Sequence, residues 1–352
     1  MISSLQLNGF TVFGETEFSF SSGINVLIGK NGTGKTHILK CIAASLAAIN
    51  EFKKSDSQAK DKFEGLIADK LKGFFKPEQL GRLVKRQQGR NNALVRIIKD
   101  KQQLEYSFAT NSKTSVKLEE YSLTKEIKSL YIPPREMFSL YEGFLSLIES
   151  REVSFDETYV MLAKALHMPI LKGPRESEAR DLVKPFEAEL KKVIKEHGRF
   201  YIQDSTGKME AHLVAEGLRK LASIMYLILN GEITRNSVLF WDEPESNLNP
   251  ALISKVVDFI QLLAQKGVQI FIASHDYLLT HRLSLFAEYR KPETPDMKFF
   301  SLYKNGDDES IQLEEGSTLI ELENNSILDE YAAYYDLQQE YINQHFKNIA
   351  AL

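Results

Sequence analysis

"GINVLIGKNGTGKTHILK", residues 23–40, decides the fold. Its first seven residues form an apolar run suited to a strand buried on both faces. Gly29–Thr36 then satisfies G-x-x-x-x-G-K-[ST], the spacing of a phosphate-cradling loop. Beyond it Ile38, Ile42, Leu46 and Ile49 recur at helical spacing. Strand, glycine loop and helix follow in the order such a loop requires. The glycines let backbone N–H groups converge on a phosphate, and the helix N-terminus adds the positive end of its dipole. Gly29, Lys30, Asn31, Gly32, Thr33 and Gly34 are expected to supply that cradle. Lys35 reaches the β- and γ-phosphates and the Thr36 hydroxyl takes a position on magnesium.

The rest of the composition narrows the class. With 352 residues the chain buries a large core, as one domain with a sizeable insertion or as two lobes. A net charge of -4 gives no global attraction to nucleic acid or to an anionic membrane, so such a contact needs a local patch. Cys41 has no intramolecular disulfide partner, which fits a reducing compartment. "MISSLQLNGF" lacks the basic leader of a signal peptide, and no run reaches the roughly 20 apolar residues of a membrane span. These features lead to the expectation of a soluble cytoplasmic protein.

"SSLQLNGF" and "ETEFSFS" alternate like short strands, and "ALVRIIKD", "LEYSFAT" and "SVKLEEY" read as antiparallel strands between turns. Residues 51–92 between these groups are basic, with helices expected on either side of Pro77. "SLYIPPREMFSLYEGFLSLIE" reads as a strand, a Pro-Pro corner and a helix. Residues 154–196 read mostly as helices, with a loop at "KGPRE". "RFYIQD" and "KMEAHLV" make a hairpin, and "GLRKLASIMYLILNG" makes a helix. "SVLFWDEP" is a buried strand ending in acids. A helix from about Pro250 to Lys266 leads into the strand "VQIFIASHD", and two further strands and a terminal helix ending near Phe346 follow.

Three elements carry chemistry. Beside the glycine loop, "VLFWDEP" places Asp242 and Glu243 at the end of an apolar strand. Adjacent strand residues point to opposite faces, but the strand ends there and the chain turns at Pro244. Asp242 is then suited to hold magnesium and Glu243 to polarise an attacking water; a plain acidic turn is the simpler reading of these two residues alone. In "FIASHD", His275 just beyond a buried strand is suited to sense a γ-phosphate, whereas a lone histidine is more often structural. The expected arrangement puts the glycine loop and the acid pair at the tips of adjacent strands.

Together these elements resemble an ABC-type ATPase head, of the kind found in SMC, RecF and OLD-family proteins rather than in transporters. The acids followed by "PESNLNP" are similar to that group's Walker B and D-loop, and His275 to its switch histidine. "VAEGLRKLAS" stands where the signature helix belongs, with Ala215 in place of the signature serine. The resemblance covers roughly residues 1–50 and 94–305. It implies an α/β P-loop NTPase of ABC-ATPase head type, a mixed core sheet with an antiparallel β part and a helical lobe. The implied divisions are 1–50 and 94–135 for the β part and loop core, 51–93 for the basic insertion, and 136–215 for the helical lobe. The Walker B, D-loop and switch core spans 216–305, and 306–352 is an acidic C-terminal segment.

The resemblance also implies ATP and Mg2+ as cofactors, and two heads sandwiching two ATP molecules as a homodimer. Glu216, Gly217, Arg219, Asn247 and Asn249 would then face the nucleotide held by the opposite head. The glutamine expected after "SLYI" is replaced by "PPREM". Glu136 can take its metal- or water-contacting place, or can form a surface ion pair with Arg135. Phe10 and Phe13 stand near the expected base side, or pack in the core. "DSTG" at 204–207 matches a GTPase motif but lacks N-K-x-D, which favours ATP.

Segment 51–92 offers phosphates or an acidic partner a basic face, or is a solvated helical insertion. Residues beyond Asn305 are acidic, including Asp307, Asp308 and Glu309. The tyrosines Tyr331, Tyr334, Tyr335 and Tyr341 point to an ordered docking helix. Neither an R-x(4–6)-H ribonuclease motif nor long SMC heptad arms are visible. Stand-alone heads of this type resemble the ATPase subunits of prokaryotic anti-phage defence systems, which implies a separate effector, a nuclease or toxin. The alternative is a RecF- or SMC-like repair ATPase that binds DNA directly, through Lys70, Lys72, Lys85 and Arg86.

Overall fold

The structure is a computed structural model. It describes residues 1–352 except 57–58, 124–125, 151–152, 188–189, 191, 206, 305–309 and 351–352. Asp307, Asp308 and Glu309 of the acidic stretch, and Thr206 of "DSTG", lie outside the described residues.

In chain order the first strands are β1 (Ile2–Asn8), β2 (Thr16–Ser19) and β3 (Ile24–Gly29), followed by helices α1 (Lys35–Lys54) and α2 (Lys60–Phe75). Then come β4 (Asn92–Lys99), β5 (Gln102–Ala109), β6 (Lys117–Tyr121) and β7 (Ser129–Ile132). A helical stretch of α3 (Phe144–Glu149), α4 (Glu157–His167) and α5 (Pro174–Val183) leads to β8 (Lys192–Glu196), β9 (Arg199–Gln203) and β10 (Lys208–Glu210). The remainder is α6 (Glu216–Leu229), β11 (Val238–Asp242), α7 (Pro250–Gln265), β12 (Gln269–Ala273) and α8 (Tyr277–Glu288), then β13 (Met297–Lys304), β14 (Ile311–Gly316) and α9 (Ser326–Ala350).

Among the described residues three sheets form. The central one runs β14-β13-β3-β12-β11-β7 and is parallel except at β14, whereas β2-β1-β4-β5-β6 is antiparallel throughout. The glycine-loop strand sits inside the central sheet, which explains its unbroken apolar run. Val26 and Ile28 point into one core with α6 and α7, while Leu27 points into another with α1 and α2. The second core lies between the two large sheets and gains Phe240, Phe271 and Phe300 from the central one. The first contains Trp241, fully buried next to the acid pair. Phe10 and Phe13 are likewise fully buried.

Two expectations are corrected. The 154–196 stretch is not helical to its end, because β8 pairs with β9 across a turn at His197 and Gly198. Both turn residues have positive φ, 50° and 77°, the geometry that a two-residue hairpin demands. The acid pair and the glycine loop are also not on adjacent strands, since β12 lies between β3 and β11. α8 was not anticipated either.

The basic segment is built largely as a packed element. α2 buries Phe63, Ile67, Leu71 and Phe74. Lys70 pairs with Glu51 at 2.8 Å and Glu157 at 3.2 Å, and Lys72 pairs with Asp69 at 3.0 Å. Lys85 and Arg86 instead lie on the loop that runs beside β1, where the Lys85 N–H donates to the Gly9 carbonyl.

Candidate functional site

The loop after β3 takes positive φ at Gly29, Gly32 and Gly34, and at the first and last of these a side chain also has no room. Gly29 has φ +144°, and a Cβ there would stand 2.3 Å from the Leu302 carbonyl oxygen. Gly34 has φ +96°, and a Cβ would meet the Phe13 ring at 2.5 Å. Gly34 also serves as the N-cap of α1 without a side-chain cap. The first-turn N–H groups therefore face the loop's interior, as an anion site needs. Lys30 and Asn31 are exposed at the rim, and Thr33 is buried with its hydroxyl donating to the Lys30 carbonyl at 2.9 Å.

Lys35 is only 8% exposed and braces its own loop, donating to the carbonyls of Gly29 at 2.6 Å and Lys30 at 3.1 Å. Burial lowers its pKa, opposed by the nearby carboxylates of Glu243, Asp242 and Glu245. A cation in this position is under-compensated, and an arriving phosphate would complete it.

The acid pair is reached across β12. The Thr36 hydroxyl donates to Asp242 Oδ1 at 3.0 Å, and the Tyr131 hydroxyl at the end of β7 donates to Oδ2 at 3.0 Å. Burial raises the Asp242 pKa, while these two hydrogen bonds pull it back. One carboxylate and one hydroxyl at this spacing suit a hard cation that takes its remaining oxygen ligands from phosphates and water.

Glu243 follows with φ +48°, a left-handed backbone uncommon for a residue with a side chain. With this swing in place of strand alternation, both carboxylates lie in the field of Lys35. The Glu243 N–H donates to the Ala273 carbonyl at 2.9 Å, and its carboxylate lies 3.6 Å from Nδ1 of the half-exposed His275.

Three side chains beside this cluster have no role assigned from the sequence, although Lys220 stands on the first turn of the expected signature helix. Glu245 is buried, accepts from the Ser274 hydroxyl at 2.8 Å and the His275 N–H at 3.2 Å, and so fixes the segment that carries the histidine. Burial raises its pKa. Tyr131, within β7, orients Asp242 through its hydroxyl. Lys220 in the first turns of α6 is 3% exposed and donates to the carbonyls of Glu243 (3.0 Å) and Ser246 (3.1 Å) and to the Ser246 hydroxyl (2.7 Å). Its signal was available: Lys220 falls in helical phase with Ile224 and Leu227, an apolar face where a cation has no solvent.

Burial brings the Lys220 ammonium down to about 8 despite four surrounding carboxylates. Its three acceptors need three N–H donors, which only the protonated form has. The ATP turnover that the sequence leads us to expect should therefore fall as pH rises through about 8. Lys220→Arg should flatten that alkaline limb, and Lys220→Met should cost about 10-fold at neutral pH, the worth of one charged hydrogen bond. Steady-state pH profiles of the three proteins check this.

The remaining predicted residues form contacts within the chain. Glu136 is buried and pairs with Arg219, not Arg135, at 2.7 Å, while also accepting from the Phe138 N–H at 2.7 Å and from the Ser139 hydroxyl. A surface ion pair is thereby replaced by a buried one that ties the Pro-Pro corner to α6. Arg219 also donates to the Val214 carbonyl at 2.6 Å. The Asn247 amide donates to Glu216 at 2.8 Å, and the Asn249 side chain caps α7 by accepting from the Leu252 N–H. Gly217 is packed tightly, since a Cβ would stand 2.8 Å from Leu252 Cδ1. Ala215 caps α6 without a side-chain bond.

A family model described as "AAA domain, putative AbiEii toxin, Type IV TA system" matches residues 62–280. The chain belongs to this family. The match to the AAA-domain family begins after the glycine loop, so that loop's assignment rests on its own spacing and geometry. Comparison with curated proteins finds no match.

Among solved structures, an Smc head bound to the C-winged helix domain of ScpA aligns at 14% identity, TM-score 0.50, over 90% of this chain and 98% of that one. An Smc head with an extended coiled coil, bound to the C-terminal domain of ScpA from Pyrococcus furiosus, aligns at 12% identity and TM-score 0.49 over 96% and 99%. The SMC head domain from Thermotoga maritima aligns at 12% identity and TM-score 0.47 over 89% and 98%. The first of these shows the fold alone: this member of the AAA-domain family has the fold of an Smc head.

Among the described residues no helix is long and apolar enough to cross a membrane.

Proposed function

We propose that the protein binds and hydrolyses ATP with magnesium, closes as a pair of heads on the nucleotide, and thereby controls a separate effector in anti-phage defence. The observation that carries this reading is the convergence of Lys35, Thr36, Asp242, Glu243 and His275 at one end of the central sheet. Lys35 and the loop N–H groups hold the β- and γ-phosphates. Thr36 and Asp242 would hold magnesium, which when bound neutralises charge on the phosphate oxygens. Glu243 orients and deprotonates the attacking water, and His275, on an end fixed by Glu245, hydrogen-bonds the γ-phosphate.

Glu216 and the exposed Asn247, joined by a hydrogen bond, lie beside the buried Gly217 and would meet the second head's nucleotide. With Ala215 there, the contact relies on backbone N–H groups and the α6 dipole. The toxin–antitoxin wording of the family description supports a defence setting. The likeness to a head that binds a winged-helix partner supports control through another protein.

Purified protein should release phosphate from ATP only when magnesium is present. ATP bound without any turnover would leave a nucleotide-dependent switch and remove the hydrolase.

A further inference from the structure

α9 leaves the body of the protein as an arm. Its root is fixed: Ile327 is in the core, the Asn325 side chain accepts from the N–H groups of Ile327 and Leu328, and the Tyr331 ring packs 4.5 Å from that of Tyr277. From Asp329 to Phe346, however, every residue except Gln339 is exposed. Tyr334 is 70% exposed, Tyr341 63% and Phe346 64%. A lone helix open to water on all sides is marginal, and exposed rings along it add to the cost.

The spacing says what covers it. Leu328, Tyr331, Tyr335, Gln338, Ile342 and His345 follow one another at alternating steps of three and four residues, the seam of a two-helix coil. Tyr334, Tyr341 and Phe346 flank that seam. The acids Asp329, Glu330, Asp336 and Glu340 all fall on the outer positions, so two such helices can meet without opposing carboxylates. No Lys or Arg occurs from Ser326 to Phe346, which disfavours an anionic membrane surface.

We infer that α9 pairs with α9 of a second copy of this chain, a contact that needs no nucleotide. If each of five half-exposed rings gives up about 100 Å², the pair buries roughly 1,000 Å², the lower end of specific interfaces. Such a contact is modest alone, yet it holds two heads at high effective concentration. Because α9 is rooted on Tyr277, two residues from His275, and its first turn borders a cavity of about 380 Å³ shared with Lys30, Asn31 and Thr33, the tether starts beside the nucleotide loop.

The test uses the full chain without nucleotide. Sedimentation should show a concentration-dependent dimer, and Tyr335→Asp with Ile342→Asp should weaken it at least about 10-fold while leaving the melting temperature unchanged. Because the only native cysteine, Cys41, is buried, Ile342→Cys should give a disulfide-linked dimer under mild oxidation and Glu340→Cys should not. A nucleotide-free monomer at all concentrations, or a dimer indifferent to the seam variants, overturns the inference. Dimers that appear only with ATP and ignore those variants overturn it while supporting nucleotide closure. Seam-dependent dimers that ATP does not tighten support the tether and count against closure.

Discussion

Lys35→Ala is expected to weaken ATP binding at least about 100-fold, near 2.7 kcal/mol, the loss of one to two charged hydrogen bonds to phosphate. Lys35 is nine-tenths buried, and among the described residues its ammonium donates only to two carbonyls of its own loop, with three carboxylates in its field. A triphosphate substitutes charged acceptors for neutral ones, so the gain on binding is large. Titration calorimetry with a non-hydrolysable ATP analogue gives the dissociation constant, and circular dichroism confirms an unchanged fold. An unaltered constant would place the nucleotide elsewhere.

Glu243→Gln should retain ATP and lose turnover by about 100-fold or more, the usual worth of a positioned general base. The amide keeps the size of the side chain and leaves the left-handed backbone and its bond to Ala273 in place. What it loses is the ability to take a proton. With hydrolysis stalled, the γ-phosphate persists and head pairs should accumulate, visible by light scattering with ATP and magnesium. The comparison must be made against the ATP-free sample, since a tether through α9 would contribute dimers of its own. Wild-type turnover in Glu243→Gln would move the base to another group.

Much of the core architecture could be read from sequence because its signals are local. The glycine loop sits between a two-face apolar strand and a helix, and each neighbouring strand advertises itself by β-branched and aromatic runs. The acids were legible for the same reason, being polar residues at the end of "VLFW". Strand order was not local. That β12 lies between β3 and β11 follows from helix crossovers, which no short stretch encodes. Glu136 and Arg219 are 83 residues apart in sequence, so their pairing depended on knowing that the Pro-Pro corner packs on α6. Tyr131 was hidden by chemistry, since tyrosine in a strand reads as packing until the partner of its hydroxyl is known. β8 was lost to its lysines, which suit a helix until the turn at His197 and Gly198 is recognised.

Trp241 precedes Asp242, is fully buried, and is the only tryptophan in the sequence. Its indole shares a strand with the carboxylate that the Thr36 and Tyr131 hydroxyls hold. The protein therefore carries an intrinsic fluorophore one peptide from Asp242. Emission from that single ring gives rapid-mixing kinetics a built-in optical gauge of events around the acid pair, with no dye attached.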